Sequence, residues 1–111
     1  MHPESQALID RFADALWLED GLSPNTLAAY KRDLTLYARW LLLAQGGDLL
    51  RTQEHQLQAY FAERHAQSKA SSANRRLTVF KRFFRWALRE GLVCQDPTLK
   101  LLSAKQPLRM P

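Results

Sequence analysis

The stretch SSANRRLTVFKRFFRW, residues 71–86, interleaves five basic residues with three phenylalanines and a tryptophan. At ~100° per residue, Ala73, Leu77, Phe80, Phe84, Ala87 and Leu88 fall on one side of a helix, with Phe83 at the stripe's edge. Ser71, Arg75, Thr78, Arg82, Arg85 and Arg89 collect on the other, flanked by Asn74 and Lys81. A helix patterned this way must bury its apolar stripe against other elements. The rest of the chain therefore has to supply apolar faces of matching kind.

It supplies helices. Leu8, Ile9, Phe12, Ala15 and Leu16 recur at three-to-four spacing and predict a first helix from about Glu4 to Asp20, stopped by Gly21. A second opens at SPNT, with Ser23 as cap and Pro24 at the first helical position. Its apolar face is Leu27, Tyr30, Leu34, Tyr37, Ala38 and Leu41, and Gly46-Gly47 ends the run. A third starts near Thr52 with Leu57, Tyr60 and Phe61 inward, and ends around His65. AQSKAS leads into the fourth, which runs to about Glu90 before Gly91. DPTLKLL predicts a short C-terminal helix capped by Asp96 with Pro97 at its first position. No β-alternation is sustained, so the predicted fold class is all-α, with four main helices and one short one. The organisation expected is one domain over residues 1–103, with AKQPLRMP, residues 104–111, beginning a linker.

Charge then narrows the function. The 111 residues carry a net charge of +5, and the charge is polarised. Residues 1–20 set Glu4, Asp10, Asp14, Glu19 and Asp20 against Arg11, whereas residues 69–90 set seven lysines and arginines against Glu90. Membrane binding would need apolar residues exposed beside the cations, and here the core claims them. No apolar run approaches the ~20 residues of a membrane span, and MHPESQALID lacks the basic and apolar regions of a secretory signal. The expected location is the cytoplasm. His2, His55, His65 and the single Cys94 show no metal-ligand spacing, and no cofactor is expected. A solvated helix face usually mixes signs to gain i,i+4 pairs, and this one is almost wholly cationic. Nucleic acid explains more. Ser71, Ser72 and Asn74, with the first-turn amides, suit a phosphate oxygen. Arginines farther along suit guanine or further phosphates. An acidic protein partner for a helical interaction module stays open as the alternative. The second helix repeats the pattern with Asn25, Thr26, Lys31, Arg32 and Arg39, while Ser23 is read as a cap. Leu36, Trp40 and Leu43 lie off its core face and either meet helix one or three or dock a neighbour.

LSPNTLAAYKRDLTLYARWL (residues 22–41) has the Ser-x-x-Thr-x-x-x-Tyr-x-x-Asp-Leu order found near the start of tyrosine recombinases. SSANRRLTVFKRFFRWALREGLVCQDP (residues 71–97) resembles the same family's second hallmark: a Ser-rich helix start, a basic and aromatic middle, then Asp-Pro. FADALWLEDGLSPNTLAAYKRDL looks most like the XerD branch of the bacterial Xer recombinases. The resemblance covers about residues 5–111 and implies the N-terminal core-binding, SAM-like domain. In that fold two helical hairpins cross steeply, and the second and fourth helices face the DNA major groove. It implies duplex contacts from Asn25, Thr26, Lys31 and Arg32, and from Ser71, Ser72, Asn74, Arg75, Arg76, Lys81 and Arg82. Arg76 projects nearer the core side, where its stem snorkels or its head pairs with an acid.

The resemblance further implies a longer parent whose separate catalytic domain attacks DNA through a tyrosine, without metal or nucleotide. Its partners would be a dif-like duplex, a second recombinase in a heterotetramer and a septal DNA translocase, acting in chromosome dimer resolution. A phage or mobile-element integrase with the same module is the nearest alternative. Tyr30, Tyr37 and Tyr60 all fall on core faces and read as structural, so no catalytic residue is expected in this chain.

Overall fold

The computed structural model describes residues 3–65 and 69–101. Four α-helices carry the chain: α1 Pro3–Asp20, α2 Pro24–Trp40, α3 Glu54–His65 and α4 Ala70–Arg89. No strand occurs among the described residues. The expected linker at 104–111, and residues 66–68 of AQSKAS, lie outside the described residues. The chain divides at Arg51–Thr52 into two compact units, the first holding α1 and α2, the second α3 and α4.

In the first unit α1 buries Ser5, Leu8, Ile9, Phe12, Ala13 and Leu16. Ala13 takes the place expected for Ala15, which is half-buried. Gly21 ends the helix with φ 63, a conformation glycine adopts without the Cβ clash other residues meet. The Ser23 hydroxyl then caps α2, accepting from the Thr26 N–H at 3.2 Å and donating to the Thr26 hydroxyl at 3.0 Å. Pro24 stands at the helix start, where its missing N–H costs nothing. Tyr30, Leu34, Tyr37, Ala38 and Leu41 are buried, and Leu27 is half-buried. The helix does not run straight to the glycines. It widens at Leu41–Gln45 into a π-helical turn. Gly46 and Gly47 close that turn by donating to the Leu42 and Leu41 carbonyls.

In the second unit α3 begins later than expected, at Glu54, because Leu49–Arg51 form a separate 3-10 turn. The Gln56 side chain reaches back to the Gln53 N–H at 2.9 Å, half of a capping box. Tyr60, Phe61 and Phe80 form an aromatic triangle with centroids 5.3 to 6.3 Å apart. Phe83 packs edge-on to Phe84 at 5.0 Å and also meets Trp86. Each such ring contributes about 1.5–3 kcal/mol through removal of apolar surface from water.

The buried arc of α4 is broader than the expected stripe. Val79, Phe83 and Trp86 join Ala73, Leu77, Phe80, Phe84 and Ala87 inside, while Leu88 is 42% exposed. At ~100° per residue that arc takes about half the circumference, with Arg76 near its middle. Glu90 and Gly91 finish the helix in a Schellman motif: the Leu92 N–H donates to the Ala87 carbonyl at 2.8 Å and the Gly91 N–H to the Leu88 carbonyl at 3.1 Å. The expected C-terminal helix is instead a turn over Pro97–Lys100. The Asp96 carboxylate takes the Thr98 N–H at 2.8 Å and also the Thr98 hydroxyl, which closes a local turn.

Candidate nucleic-acid interface

The outward face of α4 carries two parallel rows. Ser71, Thr78 and Arg85 recur every seven residues and are exposed. Arg75, Arg82 and Arg89 do the same one step round the helix; Arg89 is exposed and the other two half-buried. Seven residues are close to two helical turns, so each row runs nearly parallel to the axis. The core beneath is aromatic and close-packed, which fixes the rows on a rigid support.

The helix start is polar and open. Ser71 is exposed, and Ser72 and Asn74 are half-buried. Lys69, at the N-cap, makes no side-chain capping bond. The first-turn amides carry the positive end of the helix dipole, which suits a phosphate oxygen. α2 differs, since Ser23 already caps its first turn.

On α2 the seven-residue spacing reappears. Asn25, Arg32 and Arg39 form a straight exposed row. Arg39 belongs to this surface on geometry, and the seven-residue spacing from Arg32 was the sequence signal for it. Thr26 is half-buried and tied to Ser23. Lys31 stands on the flank toward α1, with its ammonium 3.0 Å from Asp10 Oδ1.

Two expected contact residues on α4 have other surroundings. Arg76 is 8% exposed, inside the core arc. Its position follows from spacing, three residues before Val79 and four before Phe80, both wholly buried. Lys81 is half-buried and donates to the Thr98 carbonyl at 2.7 Å. Asn25, Arg32, Ser71, Ser72, Asn74, Arg75 and Arg82 stand at or near the surface of their own units.

Tyr30, Tyr37 and Tyr60 are all buried, which fits their core reading. Of the Leu36–Trp40–Leu43 group, Trp40 stacks on Tyr37 at 6.0 Å. Leu36 is 36% exposed and Leu43 is 86% exposed. Among the described residues no group of three His, Cys, Asp or Glu side chains is placed to hold a metal ion. No described helix is long and apolar enough to cross a membrane.

Residues 9–91 match the family model described as phage integrase, N-terminal SAM-like domain. The chain is 62% identical over 109 residues to the tyrosine recombinase XerD of Ralstonia nicotianae, covering 98% of this chain and 35% of that protein. It is 43% identical over 112 residues to the tyrosine recombinase XerD of Yersinia pestis, covering all of this chain and 37% of that protein. With the tyrosine recombinase XerD of Pseudomonas aeruginosa it shares 43% over 95 residues, 85% of this chain and 32% of the relative. The chain spans about a third of the length of these relatives.

Proposed function

The chain belongs to the phage integrase N-terminal SAM-like family, and we propose that it is the duplex-binding module of a site-specific tyrosine recombinase of the XerD kind. The observation that carries this reading is the outward face of α4: two rows of hydroxyl and guanidinium groups on a rigid, aromatic-backed helix. A helix of that width fits the DNA major groove, where arginine pairs with guanine edges and phosphates alike. The polar helix start supplies a phosphate anchor, and phosphate contacts set register while base contacts set sequence.

In this reading Asn25, Thr26 and Arg32 contribute from α2, with Lys31 beside them when its ammonium is released from Asp10, and Ser71, Ser72, Asn74, Arg75 and Arg82 from α4. Arg76 serves from within the core, by holding α4 in place. The chain itself performs no strand cleavage. That chemistry belongs to a tyrosine elsewhere in the parent protein and needs no metal, because bond energy is kept in a phosphotyrosyl link. The parent would act in the cytoplasm on a dif-like site, resolving chromosome dimers with a second recombinase under a septal DNA translocase. Identity of 62% to one tyrosine recombinase XerD supports this placing over a phage or mobile-element integrase.

The test is a mobility-shift titration of the 111-residue chain on a dif-like duplex and on a scrambled duplex of equal length. Tighter binding to the dif-like duplex at moderate salt is expected, with affinity falling steeply as salt rises. Equal binding to both duplexes would overturn site reading. Stable self-association with no binding to either, even at low salt, would favour a protein-interaction module.

A further inference from the structure

Lys31 is an expected contact residue that a carboxylate of the neighbouring helix already holds. Its ammonium lies 3.0 Å from Asp10 Oδ1 on α1. Asp10 is held in turn: the Gln6 side-chain amide, one turn earlier, donates to the same oxygen at 3.2 Å. Gln6, Asp10 and Lys31 thus form a chain that fixes where the lysine head rests. Both charged side chains are about half exposed, so the pair stands at the surface within reach of a ligand.

The location matters. Lys31 follows Pro24, Leu27 and Ala28 along the flank of α2, and these residues line a groove with Ala13, Asp14 and Trp17 of α1. The exposed row of Asn25, Arg32 and Arg39 begins one residue round the helix. A lysine stem of four carbons can turn from this flank toward a backbone lying over the row. While Asp10 holds the ammonium, the two charges cancel at any distance beyond a few ångströms, and the row presents its arginines alone.

We propose that Asp10 is a positioning residue that parks Lys31 against α1 and withholds one cation from a bound nucleic-acid backbone. This inference rests on the duplex-binding reading and sharpens it. A surface pair of this exposure contributes little to fold stability, so removing the Asp10 carboxylate frees the ammonium without unsettling α1 or α2. Asp10 therefore tempers sequence-independent affinity and leaves discrimination to the arginine rows. The carboxylate of Asp14, one turn further along α1, lines the same groove but does not hold the ammonium, so it separates local pairing from bulk charge.

The experiment is a double-mutant cycle read as the slope of log affinity against log salt, for the 111-residue chain on a scrambled duplex. Asp10→Asn should steepen the slope by about 0.9, the value for one added phosphate contact. Asp14→Asn should leave it within error. In a Lys31→Met background Asp10→Asn should no longer change the slope. Equal effects of Asp10→Asn and Asp14→Asn, or an Asp10→Asn effect that survives Lys31→Met, would overturn the inference while the duplex-binding reading stands. Absence of any salt-dependent duplex binding by the parent chain would overturn both. Thermal melts of each variant, expected to superimpose on the parent, confirm that the slope reports binding.

Discussion

Lys81 on α4 donates its ammonium to the main-chain carbonyl of Thr98 at 2.7 Å. The same carbonyl accepts the Leu101 N–H at 3.1 Å, and Asp96 takes both the N–H and the hydroxyl of Thr98. Thr98 is 1% exposed, so this set of bonds satisfies polar groups that have lost water. A basic residue on the outward helix is therefore also the fastener of the turn that follows. Lys81→Met keeps the stem and removes the donor. It should lower unfolding free energy by about 1.5–3 kcal/mol, the range for a hydrogen bond to a charged group. Urea denaturation checks this.

Arg75, Arg76 and Arg82 look alike as letters and differ in place. Arg75 and Arg82 lie on the outward rows, whereas Arg76 is within the buried arc. Arg75→Ala and Arg82→Ala should each weaken duplex binding by about 1–3 kcal/mol. Their melting temperatures should fall less than that of Arg76→Ala, because both are less buried than Arg76. Arg76→Ala should do the reverse and cost about 1–3 kcal/mol of fold stability, since a buried stem and its polar head are both lost. Mobility shifts and thermal melts on the three variants separate the two classes.

The α2 cap gives a local test. Ser23 accepts the Thr26 N–H and donates to the Thr26 hydroxyl. Ser23→Ala should cost about 1 kcal/mol. Ser23→Asp should recover most of that, because a carboxylate also caps and suits the positive end of the helix. The midpoint of chemical unfolding reads both changes.

Much of this architecture is legible as spacing and punctuation. Ser23-Pro24, Gly21, Gly46 and Gly91 mark helix ends because each solves a backbone problem that few residues can solve. Tyr60, Phe61 and Phe80 are placed by period alone. What spacing does not give is the width of a buried face. Val79 and Trp86 lie inside because α4 is covered over about half its circumference, and Leu88, on the expected stripe, falls just outside. The C-terminal Asp-Pro-Thr was expected to start a helix. The Asp96 carboxylate that would cap such a helix instead closes a turn that Lys81 holds from α4. That bond joins residues 17 positions apart, and local pattern carries no trace of it. On the site, sequence finds which helix faces bear cations. It does not find that Lys31 is held by Asp10, because that pairing depends on how α1 lies along α2.

The row on α2 offers a further separation of surface charge from recognition. Asn25, Arg32 and Arg39 stand in line and are exposed, and Arg11 on α1 is exposed as well. All three arginines add the same unit of charge to the molecule. If the α2 row lies along a nucleic-acid backbone, Arg39→Gln should flatten the slope of log affinity against log salt by about 0.9, as one released counterion is lost. Arg11→Gln should change that slope much less, since α1 carries the acidic share of the chain. Arg32→Gln should behave as Arg39→Gln, and the double variant should flatten the slope by about twice as much, because two separate phosphates are involved. Identical shifts from Arg11→Gln and Arg39→Gln would mean that net charge, not the row, governs binding.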